Sequence, residues 1–70
     1  MESTPVESEN LAAVGYDADE GTLQIEFRNG RIYEYYRVPS SVHHELMGAV
    51  SKGEYFSRNI KDVYRFRRLK

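Results

Sequence analysis

Tyr64-Arg65-Phe66-Arg67-Arg68 interleaves aromatic rings with guanidinium groups. Single-stranded RNA is commonly bound by that combination, with bases stacking on aromatic or Arg planes while cations follow the phosphates. Lys70 continues the basic run, and Arg58 and Lys61 precede it. The candidate nucleic-acid-binding set is therefore Arg58, Lys61, Tyr64, Arg65, Arg67, Arg68 and Lys70. The competing reading is an alternating strand in which Tyr64 and Phe66 face a core and the arginines are solvated. Tyr33 and Tyr35 form a second candidate stacking pair, and a tyrosine ring can pack while its hydroxyl stays wet.

Other chemistry finds less support. His43 and His44 are adjacent, which points them in different directions on a helix and defeats the i, i+4 spacing that holds a metal from one face. Asp17-x-Asp19-Glu20-Gly21 has the opening of a calcium loop but lacks its later oxygens and terminal bidentate Glu, so it reads as a solvated acidic turn. Ser40, Ser41, Ser51 and Ser57 fall near expected helix ends, where capping accounts for them without a base or an oxyanion donor. No glycine-rich phosphate cradle occurs. These residues predict a protein that is not an enzyme and carries neither metal nor cofactor.

The chain has 70 residues and no cysteine, so one small core must stabilise it without disulfides or thiolate metal sites. Its net charge of −1 conceals an asymmetry. From Met1 to Phe27 every charged side chain is acidic, whereas from Lys52 onward only Glu54 and Asp62 oppose the cations. The basic end can gather at a phosphate backbone or fold back on the acidic half. The first residues lack a basic and apolar leader, and no stretch approaches the ~20 apolar residues of a membrane span. Together these features predict a cytoplasmic protein with no membrane partner.

Several elements must position these side chains. Residues 1–9 are polar and contain Pro5, which predicts a flexible acidic arm, and 10–70 form a single domain. Leu11, Val14 and Tyr16 mark a short strand before the turn-rich Asp17 to Gly21. Leu23, Ile25 and Phe27 alternate with Gln24, Glu26 and Arg28, the period of a strand with one buried face. Asn29-Gly30 turns the chain into a third strand over Arg31 to Val38. Beyond Pro39, Val42, Leu46 and Ala49 or Val50 lie on a helical stripe with Ser40 available as N-cap. Ser51-Lys52-Gly53-Glu54 has capping-box spacing for a second helix, whose apolar side is Tyr55, Phe56 and Ile60 and whose basic end is near Lys61. Val63 to Leu69 alternates as a fourth strand at the sheet edge. The expected class is α+β: a three-stranded antiparallel meander plus a C-terminal strand, with two short helices packed on one face.

The hairpin register decides where Tyr33 and Tyr35 point. A two-residue turn at Asn29-Gly30 pairs Arg28 with Arg31 and buries Glu34. A type I turn with Gly30 as a G1 bulge instead pairs Phe27 with Arg31, sets Tyr33 beside Ile25 and Tyr35 beside Leu23, and leaves Glu34 opposite Gln24 outside. The cost of an unpaired buried carboxylate favours the bulge, which makes the two tyrosines mainly core and puts Ile32 and Tyr36 on the outer face.

The order Val14-Gly15-Tyr16-Asp17, Leu23-x-Ile25-x-Phe27-x-x-Gly30-x-x-Tyr33-x-Tyr35, Val38-Pro39, Ala49-x-Ser51-x-Gly53-x-Tyr55-Phe56, Ile60-Lys61 and Tyr64 resembles the KTSC domain. That family is named for the C-terminus of some lysyl-tRNA synthetases and also occurs as stand-alone bacterial proteins. The resemblance runs from about Ser8 to Leu69. It implies a link to RNA, through the synthetase context and the central Tyr33-Glu34-Tyr35. Two functions remain in view. One is an RNA-binding module using the basic, aromatic C-terminal strand, with salt-dependent affinity. The other is a protein-interaction module, in which a sheet edge or the outer face bearing Ile32 and Tyr36 receives a partner or a second copy of the chain.

Overall fold

The computed structural model describes residues 2–70. Five strands and two helices follow in the order β1 (Ser3–Pro5), β2 (Leu11–Asp17), β3 (Thr22–Phe27), β4 (Ile32–Tyr35), α1 (Ser40–Gly48), α2 (Lys52–Asn59) and β5 (Phe66–Arg68). The strands make one antiparallel sheet in the order β1-β2-β3-β4-β5, an α+β architecture in which β5 is an edge. Among the described residues no helix is long and apolar enough to cross a membrane.

Alternation along β3 does what a period of two requires. Leu23 and Ile25 are fully buried on one face, while Gln24 and Glu26 sit on the other. The hairpin has the bulged register: Leu23 lies opposite Tyr35, Gln24 opposite Glu34 and Ile25 opposite Tyr33. Phe27 N–H donates to Arg31 O at 2.8 Å, and Gly30 N–H donates back to Phe27 O at 3.0 Å. Gly30 has a φ of 89°, a conformation glycine adopts without a Cβ penalty. Glu34 thereby stays outside and accepts the Tyr36 hydroxyl at 2.9 Å.

β4 is shorter than the Arg31 to Val38 pattern suggests, because Arg37 has a φ of 55° and turns the backbone off the sheet. Val38 is then fixed from both sides. Its N–H donates to Gly21 O at 2.8 Å, and its carbonyl accepts the Tyr16 hydroxyl at 2.6 Å. These bonds aim the chain across the inner face, where Leu46, Phe56 and Ile60 close over Val14, Leu23, Ile25 and Tyr35. Of the expected stripe on α1, Leu46 is buried, Val42 and Ala49 are half-buried and Val50 is exposed.

Three expectations need correction. Residues 3–5 are not a frayed arm: Ser3, Thr4 and Pro5 pair with Gly15, Val14 and Ala13. Val6 is buried, and the Arg28 guanidinium donates to Ser8 O at 2.9 Å and Val6 O at 3.2 Å. A segment with little apolar content is thus ordered by bonds that its neighbours supply. Ser40 does not cap α1. Pro39 occupies the cap position with no side-chain bond, and its carbonyl accepts Val42 N–H at 3.0 Å. The last strand spans only Phe66–Arg68, since Val63 and Tyr64 bond back to Ile60 O in the turn that leaves α2. The cap of α2 forms as its spacing predicts, with Ser51 Oγ accepting Glu54 N–H at 3.3 Å.

Candidate functional site

The inner face extends past the core into an open groove between α2 and the hairpin. Its volume is about 570 Å³. Phe27, Tyr33, Tyr35, Phe56 and Phe66 make the floor, and Asn10, Arg28, Asn29, Arg31, Lys61 and Asp62 contribute polar lining. Each ring comes from a position fixed by the register. Tyr35 faces Phe66 across β4 and β5, Tyr33 faces Arg68, and Phe27 is the inward residue at the end of β3.

The rings form one connected cluster. Phe56 meets Phe27 at 5.4 Å and Tyr35 at 5.5 Å, both edge to face. Tyr33 and Tyr35 are near-parallel, 18° apart with centroids at 6.3 Å. Phe66 lies 5.6 Å from each of them. Such tilted and edge-on pairs hold the rings in place. Access differs sharply across the cluster: Tyr35 is 3% exposed and Phe66 is 54% exposed. Burial, then the neighbouring Tyr33 and then the Asp62 charge push the Tyr35 hydroxyl up to about 12, so it stays a neutral donor. Tyr35 is therefore support, and Phe66 with the half-buried Tyr33 is the surface on offer.

The basic residues read from the sequence do not form one stripe. Strand alternation sets Phe66 and Arg68 on the groove face and Arg67 opposite Glu34 on the outer face. Arg65 and Tyr64 line a separate hollow with Tyr36, Arg37 and Val63. Tyr64 packs half-buried against the core. Arg58 is turned to Glu54 at 2.9 Å on exposed α2, and Lys70 O accepts Ile32 N–H at 2.9 Å where the chain closes the sheet. Lys61 alone among the cations expected before the last strand reaches the groove. Four residues were missed. Arg31 and Asp62 stand at the groove with no motif around them, and Phe27 and Phe56 were assigned only to the core. Arg31 shares the turn with Gly30, a spacing that could have flagged it as a cation beside Tyr33.

His43 stacks on Tyr16, with centroids 4.6 Å apart and planes 12° apart. Burial and the neighbouring His44 push its pKa below the ordinary value. Among the described residues no group of three or more His, Cys, Asp or Glu side chains is placed to hold a metal. The acidic N-terminal segment, which charge alone could lay on the basic end, is paired at the opposite edge of the sheet from β5.

The KTSC domain family matches residues 7–64. The chain belongs to that family. A KTSC domain protein from Yersinia pestis, solved by crystallography, superposes with a TM-score of 0.94 at 38% identity, covering 99% of this chain and 97% of that one. A lysine–tRNA ligase of Nostoc sp. is 42% identical over 59 residues, which are 84% of this chain and 10% of the ligase. An uncharacterized protein of Stutzerimonas stutzeri is 34% identical over 70 residues and 99% of both chains. The KTSC domain therefore occurs inside a synthetase and also as a chain of little more than its own length.

Proposed function

We propose that this KTSC domain is a non-catalytic module that binds single-stranded RNA, with bases in the groove and phosphates on Arg31, Lys61 and Arg68. The observation that carries the reading is Phe66, a large ring 54% exposed on a floor of supporting aromatics and bordered by cations. An apolar ring left in water invites a flat partner, and every nucleobase has a π-face. The cations select a partner whose bases are joined by phosphates. Several relatives carrying the domain are ligases named for lysine and tRNA, which adds an RNA context.

A second reading has one observation of its own. β5 is an edge strand, and Val63, Phe66 and Leu69 are large exposed apolar side chains on or beside it. An added strand from a partner protein or a second copy would cover them. An amide-shift titration of the labelled domain with tRNA and with a short single-stranded RNA, at low and at physiological salt, separates the two. The RNA reading expects saturable shifts at Arg31, Lys61 and Phe66 to Lys70 that weaken as salt rises. No shifts at low salt discard it and leave the strand edge as the surface to pursue.

A further inference from the structure

Asp62 does not fit a groove built only for phosphate. It contributes a carboxylate to the same lining as Arg31 and Lys61, where it repels phosphate. It does not neutralise those cations by pairing either, because the one ion pair among the described residues joins Arg58 to Glu54. The carboxylate's charge is nevertheless felt by Tyr35 on the floor, after burial and Tyr33 have raised that hydroxyl's pKa. An acceptor-only group thus stands beside a stacking surface.

Base chemistry says what such a group can read. An ionised carboxylate accepts hydrogen bonds through both oxygens and donates none. The Watson–Crick edge of guanine offers two adjacent donors, N1–H and the N2 amino group. Adenine and cytosine each set one amino donor beside a bare ring-nitrogen acceptor, and uracil flanks its one N–H with two carbonyls. Only guanine meets both oxygens without repulsion.

We infer that the groove selects guanine, with the base stacked on Phe66 and Tyr33 and its Watson–Crick donors shared by the two oxygens of Asp62. Arg31 and Lys61 hold the flanking phosphates and offset the repulsion that the carboxylate introduces. The inference rests on the RNA-binding reading above and assigns that site its base.

The test compares fluorescence anisotropy of labelled pentanucleotides: UUGUU, UUAUU, UUCUU and UUUUU. Because Asp62 is exposed, Asp62→Asn and Asp62→Ala leave the core untouched. The wild-type domain binds UUGUU about five- to twentyfold more tightly than the other three, within the range of a bidentate contact to a base. In Asp62→Asn an amide donor replaces one acceptor and faces a guanine donor, so the preference disappears while UUUUU binds as well as before or better. Equal affinity of the wild type for all four, or a guanine preference that survives both variants, overturns the inference and leaves RNA binding standing. Failure of every pentanucleotide and of tRNA to bind at low salt overturns the RNA reading itself.

Discussion

Truncating Phe66 to alanine separates what this ring does for the fold from what it does for a ligand. Full burial of a phenylalanine side chain stabilises by ~1.5–3 kcal/mol. Phe66 is 54% exposed, so the share at stake in folding is about 1 kcal/mol. A 70-residue domain has roughly 3.5–10 kcal/mol of stability and survives that loss. Stacking of a base on an aromatic ring contributes about 1–3 kcal/mol, so the same truncation weakens single-stranded RNA binding roughly 5- to 150-fold. Anisotropy with a labelled RNA measures the second effect, and urea unfolding of the same samples measures the first. Leu46→Ala is the control. Leu46 is fully buried, and its truncation costs about 2–5 kcal/mol of stability. At a temperature where that variant is still folded, its RNA affinity matches wild type. If Phe66→Ala loses its ~1 kcal/mol of stability and binds RNA undiminished, the groove is not the binding surface.

The same structure predicts three further responses. Gly30→Ala places a side chain at a φ of 89°, where no atom lies within 4 Å of the new Cβ, so the cost is conformational strain of about 1–2 kcal/mol with no clash, read from the urea midpoint. His43, stacked on Tyr16 and beside His44, has a pKa lowered by burial and then by His44. The unfolded chain takes up a proton first as pH drops through 6.5, so stability falls toward acid; His43→Gln flattens that slope. Tyr35 has the opposite sign. Its hydroxyl is raised from 10.0 to about 12, so its contribution is complete below pH 10 and is lost as pH rises toward about 12; Tyr35→Phe removes that alkaline limb in pH-dependent unfolding.

The hairpin was legible because two residues constrain it jointly. Gly30 permits the bulge and Glu34 refuses burial, and the register they select carries Tyr33, Tyr35 and, through β5, Phe66 onto one face. Ser51-x-x-Glu54 was legible for a similar reason, since a cap is a local bond between near neighbours. β1 was not legible. Its order comes from β2 and Arg28, which lie far along the chain, and composition reports only what a segment can do alone. The candidate site was half legible. An alternating Tyr-Arg-Phe-Arg-Arg run looks like one basic stripe in sequence, whereas alternation sends Arg67 to the outer face and Arg68 to the side of the sheet that carries Phe66. Lys61 was found with Asp62 next to it in the chain, but Arg31 and Phe56 meet that pair only through the packing of α2 over the hairpin.

The central claim is that the exposed aromatic floor of this groove receives RNA bases. Intermolecular nuclear Overhauser effects between base protons of a bound pentanucleotide and the ring protons of a labelled domain test it directly. The account predicts cross-peaks from the bases to Phe66 and Tyr33 and none to Tyr36, which lies on the outer face beside Glu34. Cross-peaks confined to Tyr36 and Tyr64, with the Phe66 and Tyr33 rings silent in a saturated complex, would contradict it.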